Sequence, residues 1–226
     1  MSLKLYYSSD QGANWTAIEN PGVAFPIFED QMITAGSNRI IGNCFNSHIA
    51  YSDNTGQTWT KVFTFYGGEF RSLAPLPGGA VFTFSEDQEQ GIITSSDNGS
   101  SWTVQNGDLP SFMGLHFIDG LFSAGSVLYA TAAEDPFAEK LYLYKSSNQG
   151  VNYTKITTGP DTDTKVFAGR HGMYPIVYFT NDGSSGTYQY TADEGATWVN
   201  ISAGITPLSV DRVQGIKSNG TNMILF

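Results

Sequence analysis

Short runs of alternating apolar and polar side chains recur along the whole chain, and each run ends at Gly, Pro, Asn or Asp, the signature of half-buried β-strands joined by tight turns. The clearest set lies at 70–105. A strand is predicted at 70–76, and the turn Pro77-Gly78-Gly79 follows. A second strand is expected at 80–85, an acidic loop at 86–90, a third strand at 91–95 and a fourth at 101–105. The same order fits 37–60, 125–154 and 174–199. The N-terminus offers only two such runs, 3–7 and 15–19. The C-terminus supplies two more, 210–216 and 222–226, around Ser218-Asn219-Gly220-Thr221. The two ends are therefore expected to complete one four-stranded unit, leaving no open sheet edge.

One octapeptide marks the turn between the third and fourth strands of every unit. It reads Ser8-Ser9-Asp10-Gln11-Gly12-Ala13-Asn14-Trp15 at its first occurrence. It returns around Asn54, Gly56 and Trp59, then Asp97, Gly99 and Trp102, then Asn148, Gly150 and Tyr153, and finally Asp193, Gly195 and Trp198. Each position has a physical role. The Asp or Asn oxygen accepts backbone N–H bonds across a tight turn. Gly supplies positive φ without steric cost. The Ser or Thr hydroxyl bonds locally, and the aromatic ring leaves on the next strand to pack between sheets.

The Asp or Asn positions are 44, 43, 51 and 45 residues apart, and joining the chain ends gives 43. The repeat resembles the Asp-box (BNR) repeat of the sialidase-like β-propellers, along the whole chain. With four-stranded blades and a range of about four to eight blades per ring, the expected fold is an all-β, five-bladed β-propeller. Its single domain of 1–226 divides into blades at about 206–226 plus 1–20, 23–62, 69–106, 112–157 and 164–201. The blade shared by the two ends closes the ring.

Composition narrows the partners. The 226 residues are 40% apolar and 14% charged, with a net charge of −10. Such a surface repels nucleic-acid phosphates and anionic membranes, so the expected partner is a glycan or a protein. No stretch reaches transmembrane length, and residues 1–7 lack signal-peptide architecture. Cys44 is the only cysteine, which removes any intramolecular disulfide or cysteine-based metal cluster and makes a small buried thiol the expectation. No Asp-x-Asp-x-Asp-Gly loop, His-Glu-x-x-His or Gly-x-Ser-x-Gly occurs, so no cofactor or metal is expected. A low-charge chain rich in Ser, Thr, Asn and Tyr is similar in composition to phage and virion surface proteins.

The resemblance implies Asp boxes on one rim and ligands on the other. The loops then expected on the ligand rim are acidic, and include 86–90, 106–112, 133–140 and 181–186. Basic residues near the starts of first strands are the candidates for an anion site: Arg71, Arg212, His116 and Lys165. Two arginines at a channel mouth could clamp a carboxylate bidentately. The chain departs from the sialidases at specific points. Its arginines are Arg39, Arg71, Arg170 and Arg212, and no Arg-Ile-Pro segment exists. The expected function is a non-catalytic ligand- or partner-binding module, an attachment or structural component of a larger assembly. The alternative is a sialidase-like glycosidase or a lectin with its site at the channel mouth.

Overall fold

A computed structural model of the chain describes residues 5–18, 22–23, 32–44, 48–64, 70–85, 89–135, 137, 141–157, 168–171, 174–180, 186–201, 203, 216–218 and 223–225. Every regular element among them is a β-strand. They group into two compact units, Met1–Asp87 with Ile92–Val104, and Gln88–Gly91 with Gln105–Phe226.

In the first unit, β1 (Leu5–Tyr7) and β2 (Thr16–Ile18) form a two-stranded sheet. A four-stranded antiparallel sheet follows in chain order: β3 (Met32–Ala35), β4 (Arg39–Cys44), β5 (His48–Ser52) and β6 (Thr60–Thr64). The next sheet contains β7 (Phe70–Pro75), β8 (Val81–Ser85), β9 (Ile92–Ser95) and β10 (Thr103–Val104). In the second unit the first sheet is β11 (Phe117–Ala124), β12 (Val127–Ala133), β13 (Leu141–Ser146) and β14 (Thr154–Lys155). Its second is β15 (Ala168–His171), β16 (Tyr174–Thr180), β17 (Gly186–Tyr190) and β18 (Val199–Asn200), and β19 (Ile216–Ser218) pairs with β20 (Met223–Leu225). First strands sit side by side between sheets. β7 lies against β3 and β4, and β15 lies against both β11 and β19.

The strands expected at 70–105 are found almost as read. In the other three windows the first strand lies upstream of the predicted start, at β3, β11 and β15. The reason is local for two of them: Gly36 and Gly125 turn the chain at φ of 63° and 60°, so 37 and 125 lie in first-to-second hairpins rather than in a first strand. The single closing sheet expected from the chain ends is not among the described sheets, because β1–β2 and β19–β20 are each two-stranded. Residues 1–4, 19–20, 210–215, 219–222 and 226 lie outside the described residues.

The octapeptide turns share one hydrogen-bond pattern. In the third, the Gly99 amide donates to Ser95 Oγ at 2.8 Å, while the Ser95 hydroxyl donates to Asp97 Oδ1 at 2.8 Å. The Ser101 amide and hydroxyl donate to the two Asp97 oxygens at 2.9 and 2.7 Å. Asn54 reproduces this with one oxygen, accepting from Ser52 Oγ and the Thr58 amide at 2.9 Å each, while its Nδ2 donates to Thr58 Oγ1. The hydroxyl, more than the carboxylate, is the buried hub. Ser52, Ser95 and Ser146 are each 1% exposed and Thr191 is 0% exposed, whereas Asp10, Asn54, Asp97, Asn148 and Asp193 are all exposed. A hydroxyl that both donates and accepts is satisfied on burial and adds no desolvation penalty.

Two successive residues in every turn are left-handed, not the glycine alone. Gln11, Thr55, Asn98, Gln149 and Glu194 have φ between 56° and 58°, and the Gly after each has φ between 77° and 92°. The glycines carry a second constraint. A Cβ on Gly99 would overlap Ile41 Cδ1, one on Gly195 would come within 2.8 Å of Ile156 Cδ1, and one on Gly56 within 3.3 Å of Ile18 Cδ1. Each of these turns is therefore pressed onto an apolar side chain of the preceding sheet.

The aromatic rings complete the same contacts. Trp102 is buried with Ile41, Ile49, Phe70 and Val81, and its Nε1 donates to Gly99 O at 3.1 Å. Trp59, like Leu5, packs against the Cys44 and Ala50 cluster, and Trp198 against the cluster of Ala124, Val127, Tyr129 and Leu143. Tyr153 is 7% exposed, but its hydroxyl has no hydrogen-bond partner among the described residues. Trp15 departs from the expectation. It stands 63% exposed beside a two-stranded sheet. Cys44 is buried as expected, and burial pushes its thiol up to about 12.

Three of the five turns titrate. The Asn14 side chain, then its amide, then Ser8 hold Asp10 at about 2. Thr197 and then Thr191 do the same to Asp193. Burial alone raises the Asp97 carboxyl, but donors from Ser101, Ser95 and Ser100 outweigh it and leave Asp97 at about 2 as well. A carboxyl whose folded value lies below its unfolded value of 3.8 contributes stability above the unfolded value. That contribution is lost as pH falls through the folded one.

Two expectations follow from these turns. Gly99→Val combines a β-branched residue at φ 80° with overlap against Ile41, and should destabilise by about 2–4 kcal/mol. Asp97→Ala should lose about 1–3 kcal/mol through stranded turn donors, and chemical denaturation reads both. Asp97→Asn is different, because Asn54 and Asn148 already build the turn without a proton. Its melting temperature should fall less between pH 4 and 2 than that of the unaltered protein. An identical acid profile for the two would show that the turn carboxylates do not govern acid sensitivity.

Candidate functional site

The strand-edge basic residues expected to form an anion site are only partly described. Arg212 and Lys165 lie outside the described residues. Arg71 is half-buried on β7 and pairs across to Phe84. A β-bulge between Arg71 and Ala74 follows it, with Ser72 in the left-handed region at φ 53°. The bulge is braced from behind. Thr83 Oγ1 donates to Ser72 O at 2.7 Å and to Arg71 O at 3.0 Å, and buried Asn43 donates Nδ2 to Ser72 O at 3.0 Å. Bulges of this kind re-aim a side chain. His116, also half-buried, precedes β11 with Nδ1 3.2 Å from Pro110 O.

Arg39 makes a second, polar feature. Its guanidinium forks onto Asp53 at 2.7 and 2.8 Å, reaches Asn98 O at 3.3 Å and Ser100 Oγ, and lies 3.8 Å over the Tyr51 ring. It borders an open cleft of about 460 Å³ that also includes Asp97 and Gly36. With its fork occupied by Asp53, Arg39 works as a strut joining two octapeptide turns.

The loop at 106–112, expected on the rim away from those turns, reaches one of them. Asp108 Oδ1 accepts from the Tyr153 amide, and Gln105 Nε2 donates to Gln149 O at 2.8 Å. A Cβ on Gly107 would come within 2.6 Å of Gly150 O. Beyond this anchor the chain makes a two-residue reversal. Phe112 and Leu115 exchange amide-to-carbonyl bonds of 2.9 and 3.0 Å around Met113 and Gly114, whose φ values are 54° and 84°. Such a turn suits a hairpin. It also places Met113 at the tip, 88% exposed.

The loop between β12 and β13 meets this tip. The Phe112 and Phe137 rings stand edge-to-face at 85°, with centroids 5.7 Å apart. Phe137 is itself 80% exposed, and its amide donates to Asp135 Oδ1 at 2.9 Å. At the same loop Glu134 Oε1 accepts from Tyr144 Oη at 2.7 Å and from Lys155 Nζ at 2.8 Å. Those bonds, Lys155 first, hold its carboxyl below the ordinary range. Sequence reading passed over Met113 and Phe137. Their signal was available as large apolar residues inside loops, Phe112-Met113-Gly114-Leu115 and Asp135-Pro136-Phe137.

No family model matches the chain, and no curated protein does. Solved structures do. A GH74 xyloglucanase from Xanthomonas campestris matches with a TM-score of 0.60 and 11% identity over 86% of this chain. A GH74 enzyme from Niastella koreensis gives 0.58 and 19% over 88%, and YCF48 bound to D1 peptide gives 0.58 and 12% over 88%. The fold is a β-propeller. The chain spans 34% and 28% of the two GH74 chains and 61% of the YCF48 chain. At these identities the likeness concerns the fold alone, and propellers host unrelated functions on one scaffold.

Proposed function

We propose that this propeller is a non-catalytic binding module, an attachment or structural component of a larger assembly, that engages its partner through the rim at Met113 and Phe137. One observation carries the reading. Two large apolar side chains, Met113 and Phe137, stand 88% and 80% exposed on neighbouring loops, which are joined by the edge-to-face contact of Phe137 with Phe112, the residue before Met113. Large apolar side chains exposed on neighbouring loops mark interaction sites, and Met and aromatic residues are enriched in them. The YCF48 structure contains a bound D1 peptide, which supports a protein partner for a propeller of this shape.

The octapeptides are, on this reading, Asp boxes, and the ring has five blades. β1–β2 supplies the third and fourth strands of the last blade and β19–β20 its first and second. Support comes from the position of the turn, between β1 and β2 as it is between β5 and β6. Deleting 222–226 should then cause aggregation or loss of cooperative unfolding. A truncated chain with an unaltered melting transition overturns the shared blade.

The second reading places a glycan or glycosidase site at Arg71, Arg212, His116 and Lys165. It is favoured by the braced bulge behind Arg71. The two readings separate by assay. No hydrolysis of xyloglucan, sialosides or aryl glycosides is expected between pH 4 and 8, where a working carboxylate pair titrates. Hydrolysis that disappears in Arg71→Ala overturns the non-catalytic reading. Glycan-array binding that weakens ten- to a hundredfold in Arg71→Ala, an Arg–carboxylate bond being worth about 1.5–3 kcal/mol, and only partly recovers in Arg71→Lys, moves the site to the strand edge.

A further inference from the structure

We infer that the partner engaged at the Met113–Phe137 rim is a protein segment with apolar side chains flanked by Lys or Arg. The inference rests on the rim being a binding surface, and adds what that surface selects.

Met113 and Phe137 are the two most exposed large apolar side chains among the described residues, ahead of Trp15 at 63%. The backbone that carries each is set before any partner arrives. Met113 is held by the two bonds between Phe112 and Leu115, and Phe137 by its amide bond to Asp135 and by the Phe112 ring. A preformed contact loses little conformational freedom on binding. The thioether of Met113 adapts to irregular apolar surfaces.

Charge selects among possible occupants. Asp135 lies close to Phe137 in sequence and is exposed, whereas Glu134 is paired with Lys155 and Glu139 is followed by Lys140. The whole chain carries −10. A second copy would bring the same sign of charge to the same place, and an anionic lipid surface would be repelled. A neutral glycan would gain nothing from the charge. A cationic segment gains attraction from Asp135 and from the net negative charge of the chain, which speeds encounter and excludes acidic competitors.

The test uses a fluorescein-labelled peptide with a Leu-Ile-Leu centre and two lysines on each side, and a twin with glutamates in their place. Anisotropy is read against the full chain at several salt concentrations. The lysine peptide should bind, and added salt should weaken it. Met113→Ser combined with Phe137→Ser should weaken it at least tenfold without changing the melting temperature. Asp135→Asn should flatten the salt dependence. Absence of binding by the lysine peptide overturns the inference, as does equal binding by the unaltered protein and the double variant. If the glutamate twin binds as well and is lost in the double variant, the rim remains a binding surface but its cationic selectivity is wrong. Binding to phosphatidylserine vesicles that the double variant loses replaces the protein partner with a membrane. Hydrolysis of a glycan substrate, by contrast, refutes the non-catalytic reading itself.

Discussion

A buried hydroxyl at the start of each four-stranded unit's tight turn is the contact on which the rest of the architecture depends. Ser52, Ser95, Ser146 and Thr191 accept the amide of the turn glycine and donate to the Asp or Asn oxygen two residues on. Each closes two rings at once, while the acid or amide gathers the donors that follow. A turn satisfied internally can be pushed against the preceding sheet without stranding a polar group. The outer strand then begins at a fixed place.

Sheet packing follows from that placement. The turn glycine must approach Ile41, Ile156 or Ile18 closely, and the aromatic ring three residues later covers the same apolar face. Ser52, Ser95 and Ser146 stand opposite equivalent positions on their second strands, Ile40, Val81 and Leu128, so the register of each sheet is tied to its turn. Arg39 reinforces one such junction by holding the second turn to the third. The outer strands β10, β14 and β18 need only two residues each, because the turn and its ring already anchor them.

With sheet and turn chemistry consumed by the scaffold, the loops that do not touch the turns are where recognition can vary. The 105–115 segment shows both behaviours. Its first half is spent on the fourth turn through Gln105, Gly107 and Asp108, and its second half projects Met113 outward. The anchor and the Phe112–Leu115 bonds set the backbone from which Met113 projects.

The alternation of side chains and the five octapeptides were enough to place the strands at 70–105 and the four turns that carry buried hydroxyls, because turn chemistry is local and periodicity survives in one dimension. They were also enough to assign structural roles to Asp97, Gly99 and Trp102. Tertiary structure alone decided the rest. It showed that the residue before each glycine is left-handed too, since Gln, Thr, Asn and Glu carry no common chemical mark for that conformation. It showed that the hydroxyl is buried while the carboxylate is exposed, a distinction set by the neighbouring sheet. The starts of β3 and β11 could not be read from the chain, because a hairpin glycine and a strand-breaking glycine look alike. The Phe112–Phe137 contact was equally hidden. Its halves lie in separate loops, and only folding brings two apolar residues together where no core covers them.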